Sequence, residues 1–102
     1  MKSFEELELY KECRKFRKLI TDLVKSFPKE EKYRIVDQLL RCSRSVTANI
    51  AEGHGRYHYQ GNIQFCRQAR GSLAETLEHL ICAFDEGYIV ETRLIAFRNY
   101  YE

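Results

Sequence analysis

The stretch SVTANIAEGHGRYHYQG, Ser45–Gly61, decides how this chain is read. Small residues, one Asn, one acid and two glycines run into a cluster of Arg, His and Tyr. It is either a seat of chemistry or the end of one helix and the start of another, and its flanks separate the two. Upstream, Ile35, Leu39, Cys42, Val46, Asn49 and Gly53 form one row at helical spacing, and Val36, Leu40, Ser43, Thr47 and Ile50 form a second beside it. Downstream, Ile63, Cys66, Ala69 or Arg70, Leu73, Leu77, Leu80 and Phe84 keep a 3–4 rhythm. The stretch therefore reads first as a helix–helix connector. Gly53 is expected to end one helix, and Gly55 to let the chain turn.

Working outward, helical spacing continues almost everywhere. Cys13, Phe16, Ile20, Leu23 and Phe27 form a stripe, and Ser3 with Glu6 has the pattern of a capping box. Phe27-Pro28 breaks the chain, and Pro28 suits the first turn of the next helix. Gly87 after Asp85-Glu86 is a C-terminal stop. Helices are predicted over about 3–26, 28–52, 60–86 and 88–101 of a single domain, residues 1–102. Long helices joined by short connectors pack antiparallel, so the expected fold is all-α, an up-down-up-down four-helix bundle. Folding about residues 56–57 places Cys42 opposite Gly71 and Val46 opposite Arg67. Small residues on both helices, with Gly71 among them, then permit close axial approach. Gly71 costs about 1 kcal/mol relative to Ala inside a helix, and a neighbouring backbone would explain it. The double row on the second helix is wider than a two-helix seam needs, which implies a central place in the bundle or contact with another subunit. Asn49 within that row reads as a residue that sets register or association.

Composition removes several classes of function. The longest apolar run is Leu80–Phe84, far below the ~20 residues of a membrane span. No apolar segment of signal-peptide type follows Met1, so a cytoplasmic location is the default expectation. Cys13, Cys42, Cys66 and Cys82 contain no C-x-x-C pair and read as small thiols on helix faces. His54 and His58 have the four-residue spacing of a ligand pair, but glycines flank His54 and Glu52 is the one nearby acid. Cys66 with His58 lacks an orienting group for a nucleophile. The stretch also lacks the spacing of a phosphate-binding loop. No catalytic residue, cofactor or metal set is expected, and the chain is predicted not to be an enzyme.

Charge is divided unevenly along the chain. Its net value is +2, yet residues 41–70 hold five arginines, no lysine and one acid. Arg41, Arg44, Arg56, Arg67 and Arg70 are the candidate nucleic-acid contacts, because guanidinium binds phosphate in a fork and stacks on bases. Tyr57 and Tyr59 are candidate stacking platforms beside them. The same arginines equally suit structural bridges to Glu52 or Glu75 in this chain or another.

The segments FPKEEKY, SVTANIAEGHGR, FCRQARGSLAETLEHL and EGYI resemble the four-helix-bundle family encoded in intervening sequences of bacterial 23S ribosomal RNA genes. The pair NIAEG and ARGSLAE, in this order, carries most of the likeness. The family also includes proteins resembling the accessory variability determinant of diversity-generating retroelements, basic partners of a reverse transcriptase and nucleic acid. The resemblance implies an antiparallel bundle, assembly into a homopentamer and no catalysis. It makes Asn49, Glu52, Gly53, Arg70, Gly71, Ser72 and Glu75 packing and assembly positions. The expected function is a non-enzymatic homo-oligomeric scaffold or adaptor; the alternative is an RNA- or DNA-binding accessory protein.

Overall fold

In the computed structural model, which describes residues 3–56 and 59–101, four helices follow one another: α1 Glu8–Leu23, α2 Ile35–His54, α3 Tyr59–Asp85 and α4 Glu91–Tyr101. They form an all-α, antiparallel up-down-up-down bundle in which α2 and α3 share the longest interface. The 27 residues of α3 at about 1.5 Å each account for most of the 44 Å long axis.

Several element ends differ from expectation for identifiable reasons. The first helix does not run from residue 3. Ser3 caps a 3₁₀ turn, Phe4–Glu6, its Oγ accepting from the Glu5 N–H at 3.2 Å. Leu7 is then extended (ψ 131°), which lets Phe4 pack edge-on against Tyr10 at 4.9 Å between centroids. At the far end the helix tightens into a second 3₁₀ turn, Val24–Ser26. Pro28 does not open α2: it is extended (ψ 145°) and precedes a third 3₁₀ turn, Lys29–Glu31. Residues 29–34 read KEEKYR, and the one aromatic among them, Tyr33, is 83% exposed. A helical turn with nothing to bury does not offset its nucleation cost, so α2 begins where Ile35 and Val36 reach the core.

Gly87 is the stop the sequence suggests. Its φ is +81°, and the Tyr88 N–H bonds the Ala83 carbonyl while the Gly87 N–H bonds that of Phe84, both at 2.9 Å. This paired pattern closes α3 with a residue in the left-handed region. The fourth helix consequently starts at Glu91 rather than at 88. The intervening turn places Tyr88 against Phe27 at 5.4 Å and buries Ile89.

The core is unequal along the bundle. Phe16, Ile20, Leu23, Leu39, Leu80, Ala83, Leu94 and Phe97 form the large cluster, with Phe16 and Phe97 edge-on at 5.9 Å joining α1 to α4. A second, smaller cluster of Val46, Ile50 and Ala69 lies nearer the α2–α3 connector, with Leu7, Tyr10 and Cys13 against it.

The two middle helices meet in a different register from the one expected. Cys42 faces Thr76 and Ser45 faces Ser72, with O–S and O–O separations of 3.1 and 2.9 Å. This is roughly one turn beyond a pairing of Cys42 with Gly71. In this register the stem of Arg56 passes over Gly61 and its guanidinium lies 4.8 Å from the Phe65 ring centroid. The connector thus covers the first turn of α3 before that helix meets α2.

Candidate functional site

Among the described residues, α4 packs on the part of α3 near Asp85, through Leu94 and Phe97. Toward the connector, an apolar groove runs between α1 and α3. Its floor is Val46 and Ile50 from α2, and its walls are Leu9 and Cys13 from α1 and Ala69 and Leu73 from α3. The groove has a volume of about 230 Å³, and Arg70 stands at its edge. Leu9 is 58% exposed there, a large apolar side chain presented at the end of a groove of its own kind.

The packing motifs sort themselves around the α2–α3 seam. Gly53 does not end α2, which continues to His54. A Cβ on Gly53 would come within 2.8 Å of Asn62 Oδ1 and 2.9 Å of Phe65 Cβ, so α2 and α3 approach closely at this glycine. The close-packing role expected of Gly71 is not seen: Gly71 is exposed, and a Cβ there meets nothing within 4 Å among the described residues. Asn49 is half-buried and donates from Nδ2 to the Ser45 carbonyl at 2.8 Å and to Ser45 Oγ at 3.0 Å. Ser45 in turn accepts from Ser72 Oγ, so Asn49, Ser45 and Ser72 make a polar seam between the helices. Glu52 is exposed. Glu75 pairs with His79 at 3.5 Å, and no arginine bridges to Glu52 or Glu75 among the described residues.

The five arginines are exposed but not gathered into one cluster. Arg41 is held by Asp37 at 3.1 Å, one turn back on α2. Arg67 and Arg70 flank a shallow depression with Asn62 and Ile63 on α3. Arg56 stacks on Phe65 at the connector. Arg44 instead borders a groove with Arg17 and Lys18 of α1. Arg17 donates to Thr47 Oγ1 at 3.0 Å, tying α1 to α2, and Lys11, Arg14 and Lys15 continue the basic strip along α1. The α1 half of this surface was missed because its basic residues alternate with Glu8, Glu12 and Asp22 in sequence. Three i,i+3 pairs, Lys11–Glu8, Lys15–Glu12 and Lys25–Asp22, join those acids to lysines of the same helix and its end, so Lys11 and Lys15 are paired in the way Arg41 is. Tyr57 and His58 lie outside the described residues, as does the side chain of Tyr59, so their expected roles have no counterpart in the geometry.

Three thiols, Cys13, Cys42 and Cys82, are shifted upward by their surroundings. Burial, reinforced by Glu12, pushes Cys13 up from its ordinary value. Burial also raises Cys42, opposed in part by the hydroxyl of Thr76. Cys82 rises through desolvation and then Glu78, which accepts from its thiol at 3.7 Å. Cys66 is exposed but lines the apolar groove beside Ala69 and Leu73, and its thiol faces Asn62 Oδ1 at 3.7 Å. One grouping with metal-ligand chemistry occurs among the described residues: Cys42, Glu75 and His79. No sequence spacing announces it, because Cys42 comes from a different helix.

No helix among the described residues is long and apolar enough to cross a membrane. Fold and surface together define a class, a small antiparallel helical bundle with an open apolar slot at one end and a basic strip along its first helix. The family model for the 23S rRNA-intervening sequence protein matches residues 5–102, nearly the whole chain, and the chain belongs to that family. Comparison with curated proteins finds no match.

Proposed function

We propose that the protein is a non-enzymatic homo-oligomeric scaffold, in which the open slot between α1 and α3 receives a helix of another copy. One observation carries the reading: an apolar groove lined by Leu9, Cys13, Val46, Ile50, Ala69 and Leu73 lies between α1 and α3, with Leu9 largely exposed at its edge. Covering Leu9 alone would contribute about 1–2 kcal/mol, because it is 58% exposed in the single chain. Five copies is the number the family resemblance implies. Sedimentation of the full chain at micromolar concentration tests the proposal, with Leu9→Glu as the perturbation. The expected result is an oligomer for the native chain and a folded monomer for the variant. A native chain that sediments as a monomer overturns it.

A second reading is favoured by the basic strip. Lys11, Arg14, Lys15, Arg17, Lys18 and Arg44 lie along α1 and its groove with α2, so an oligomer would repeat this surface once per copy. In that reading the partner is the phosphate backbone of RNA or DNA. Fluorescence anisotropy with a structured RNA hairpin at two salt concentrations decides it. Binding should weaken steeply with salt, and should weaken further in Arg14→Ala/Lys18→Ala than in Arg67→Ala/Arg70→Ala. Binding that ignores salt, or none, rejects it.

A further inference from the structure

We propose that Cys42, Glu75 and His79 form a zinc-binding site that joins α2 to α3. The three ligating atoms already lie within 4.8 Å of one another. Glu75 and His79 are one turn apart on the same face of α3, with Oε2 and Nε2 separated by 3.5 Å. Two ligands about 2.0–2.1 Å from a tetrahedral zinc stand ~3.3 Å apart, so this edge of the site is nearly formed. Cys42 approaches from α2, and small rotations of the Glu75 and His79 side chains would complete the set.

The donor chemistry selects the ion. One thiolate, one imidazole and one carboxylate suit a borderline divalent cation such as Zn2+ and not Ca2+ or Mg2+, which take oxygen ligands. The two anionic ligands would neutralise the ion. Cys42 is buried, His79 half-buried and Glu75 exposed, so the ion would enter from solvent and keep its fourth position for water. Thr76 supplies the supporting contact. Its side chain is fully buried, and its hydroxyl lies 3.1 Å from Cys42 Sγ, where it orients the sulfur and donates to the thiolate. The same hydroxyl proton also reaches the Ser72 carbonyl at 2.8 Å, so donation to the thiolate would draw it away from that carbonyl. Binding would release the thiol proton to solvent and leave no group oxidised or reduced.

Titration of the reduced full chain with Co2+, followed by displacement with Zn2+, tests the site. The expected result is one Co2+ per chain, with a thiolate-to-metal charge-transfer band that Zn2+ abolishes. Cys42→Ser should remove that band. Glu75→Gln and His79→Gln, at positions outside the core, should keep native helicity by circular dichroism and bind at least about tenfold more weakly. Cys82→Ser and His54→Gln should leave the spectrum unchanged, which excludes the Cys82–Glu78 pair and the connector histidine as the source. Absence of the charge-transfer band at saturating Co2+, or its survival in Cys42→Ser, overturns the proposal.

Discussion

Replacing Gly53 by Ala and, separately, Gly71 by Ala gives the same methyl group to two helices and should move stability in opposite directions. At Gly53 the new Cβ would stand 2.8 Å from Asn62 Oδ1 and 2.9 Å from Phe65 Cβ. The Asn62 side chain can rotate away. Phe65 Cβ is fixed to the α3 backbone, so relief to an ordinary carbon contact of about 3.5–4.0 Å requires the helices to part by more than half an ångström. Overpacking of this kind costs ~1–3 kcal/mol. The helix-propensity gain is smaller than usual, because Gly53 is next to the last residue of α2. At Gly71 the new methyl meets nothing within 4 Å, and the site is in the middle of α3, so the variant gains up to about 1 kcal/mol. The two variants should therefore differ by ~2–3 kcal/mol, or roughly 10 °C or more in Tm for a domain of this size. Urea unfolding at one protomer concentration, with midpoints compared at unchanged slope, measures this directly. If Gly53→Ala is as stable as Gly71→Ala, the tight crossing is not where the structure places it.

Two further outcomes follow from the core and the thiols. Leu80 is fully buried in the large cluster, so Leu80→Ala should cost about 2–5 kcal/mol; a loss below ~1 kcal/mol in chemical denaturation would contradict the packing there. Cys13, Cys42 and Cys82 are raised by burial above 9.0, and Tyr88 above 10.0 by burial and then by Glu31 and Glu86. The unfolded chain releases these protons at lower pH than the folded chain does. Their contribution is therefore fully present below about pH 9 and lost as pH rises through the folded values, so Tm should fall across that range. A flat Tm from neutral to alkaline pH would refute it.

The helices were legible because burial imposes period 3.6 on the residues that face the core, and Gly87 and Pro28 mark real interruptions. What escaped depends on contacts between distant segments. The extended Leu7 follows from the fit of Phe4 on Tyr10 and of Leu7 on the small cluster, which local propensity does not register. The register of α2 on α3 goes with Arg56 lying over Gly61 and Phe65, a detail of the connector. Gly53 and Gly71 are the same residue type in helical patterns, and only the opposing helix distinguishes a tight crossing from open solvent. The arginines were visible as a run, but Arg44 turns to α1 while Arg67 and Arg70 flank a different depression. Cys42 is 33 or more positions from Glu75 and His79 and meets them across the seam only because the register is what it is.

The unequal core ties these features to the proposed role. Near Asp85 all four helices contribute, and the buried residues are large: Phe16, Leu39, Leu80, Leu94 and Phe97. Near the connector, among the described residues, three helices contribute, and their cluster is small: Val46, Ile50 and Ala69 with Leu7, Tyr10 and Cys13 against it. A bundle that thins this way leaves its upper end short of apolar cover, and that end would be the weaker part of the fold were it held by apolar burial alone. It is instead held by contacts that work without a fourth helix. These are the Gly53 crossing, the Asn49–Ser45–Ser72 hydrogen bonds, the Arg17–Thr47 bond and the Arg56–Phe65 stack. Each fixes a pair of neighbouring segments without filling the slot between α1 and α3. The α2–α3 hairpin can then stay ordered while Leu9 and the groove remain open. That is the arrangement expected of a surface kept for a helix from another chain.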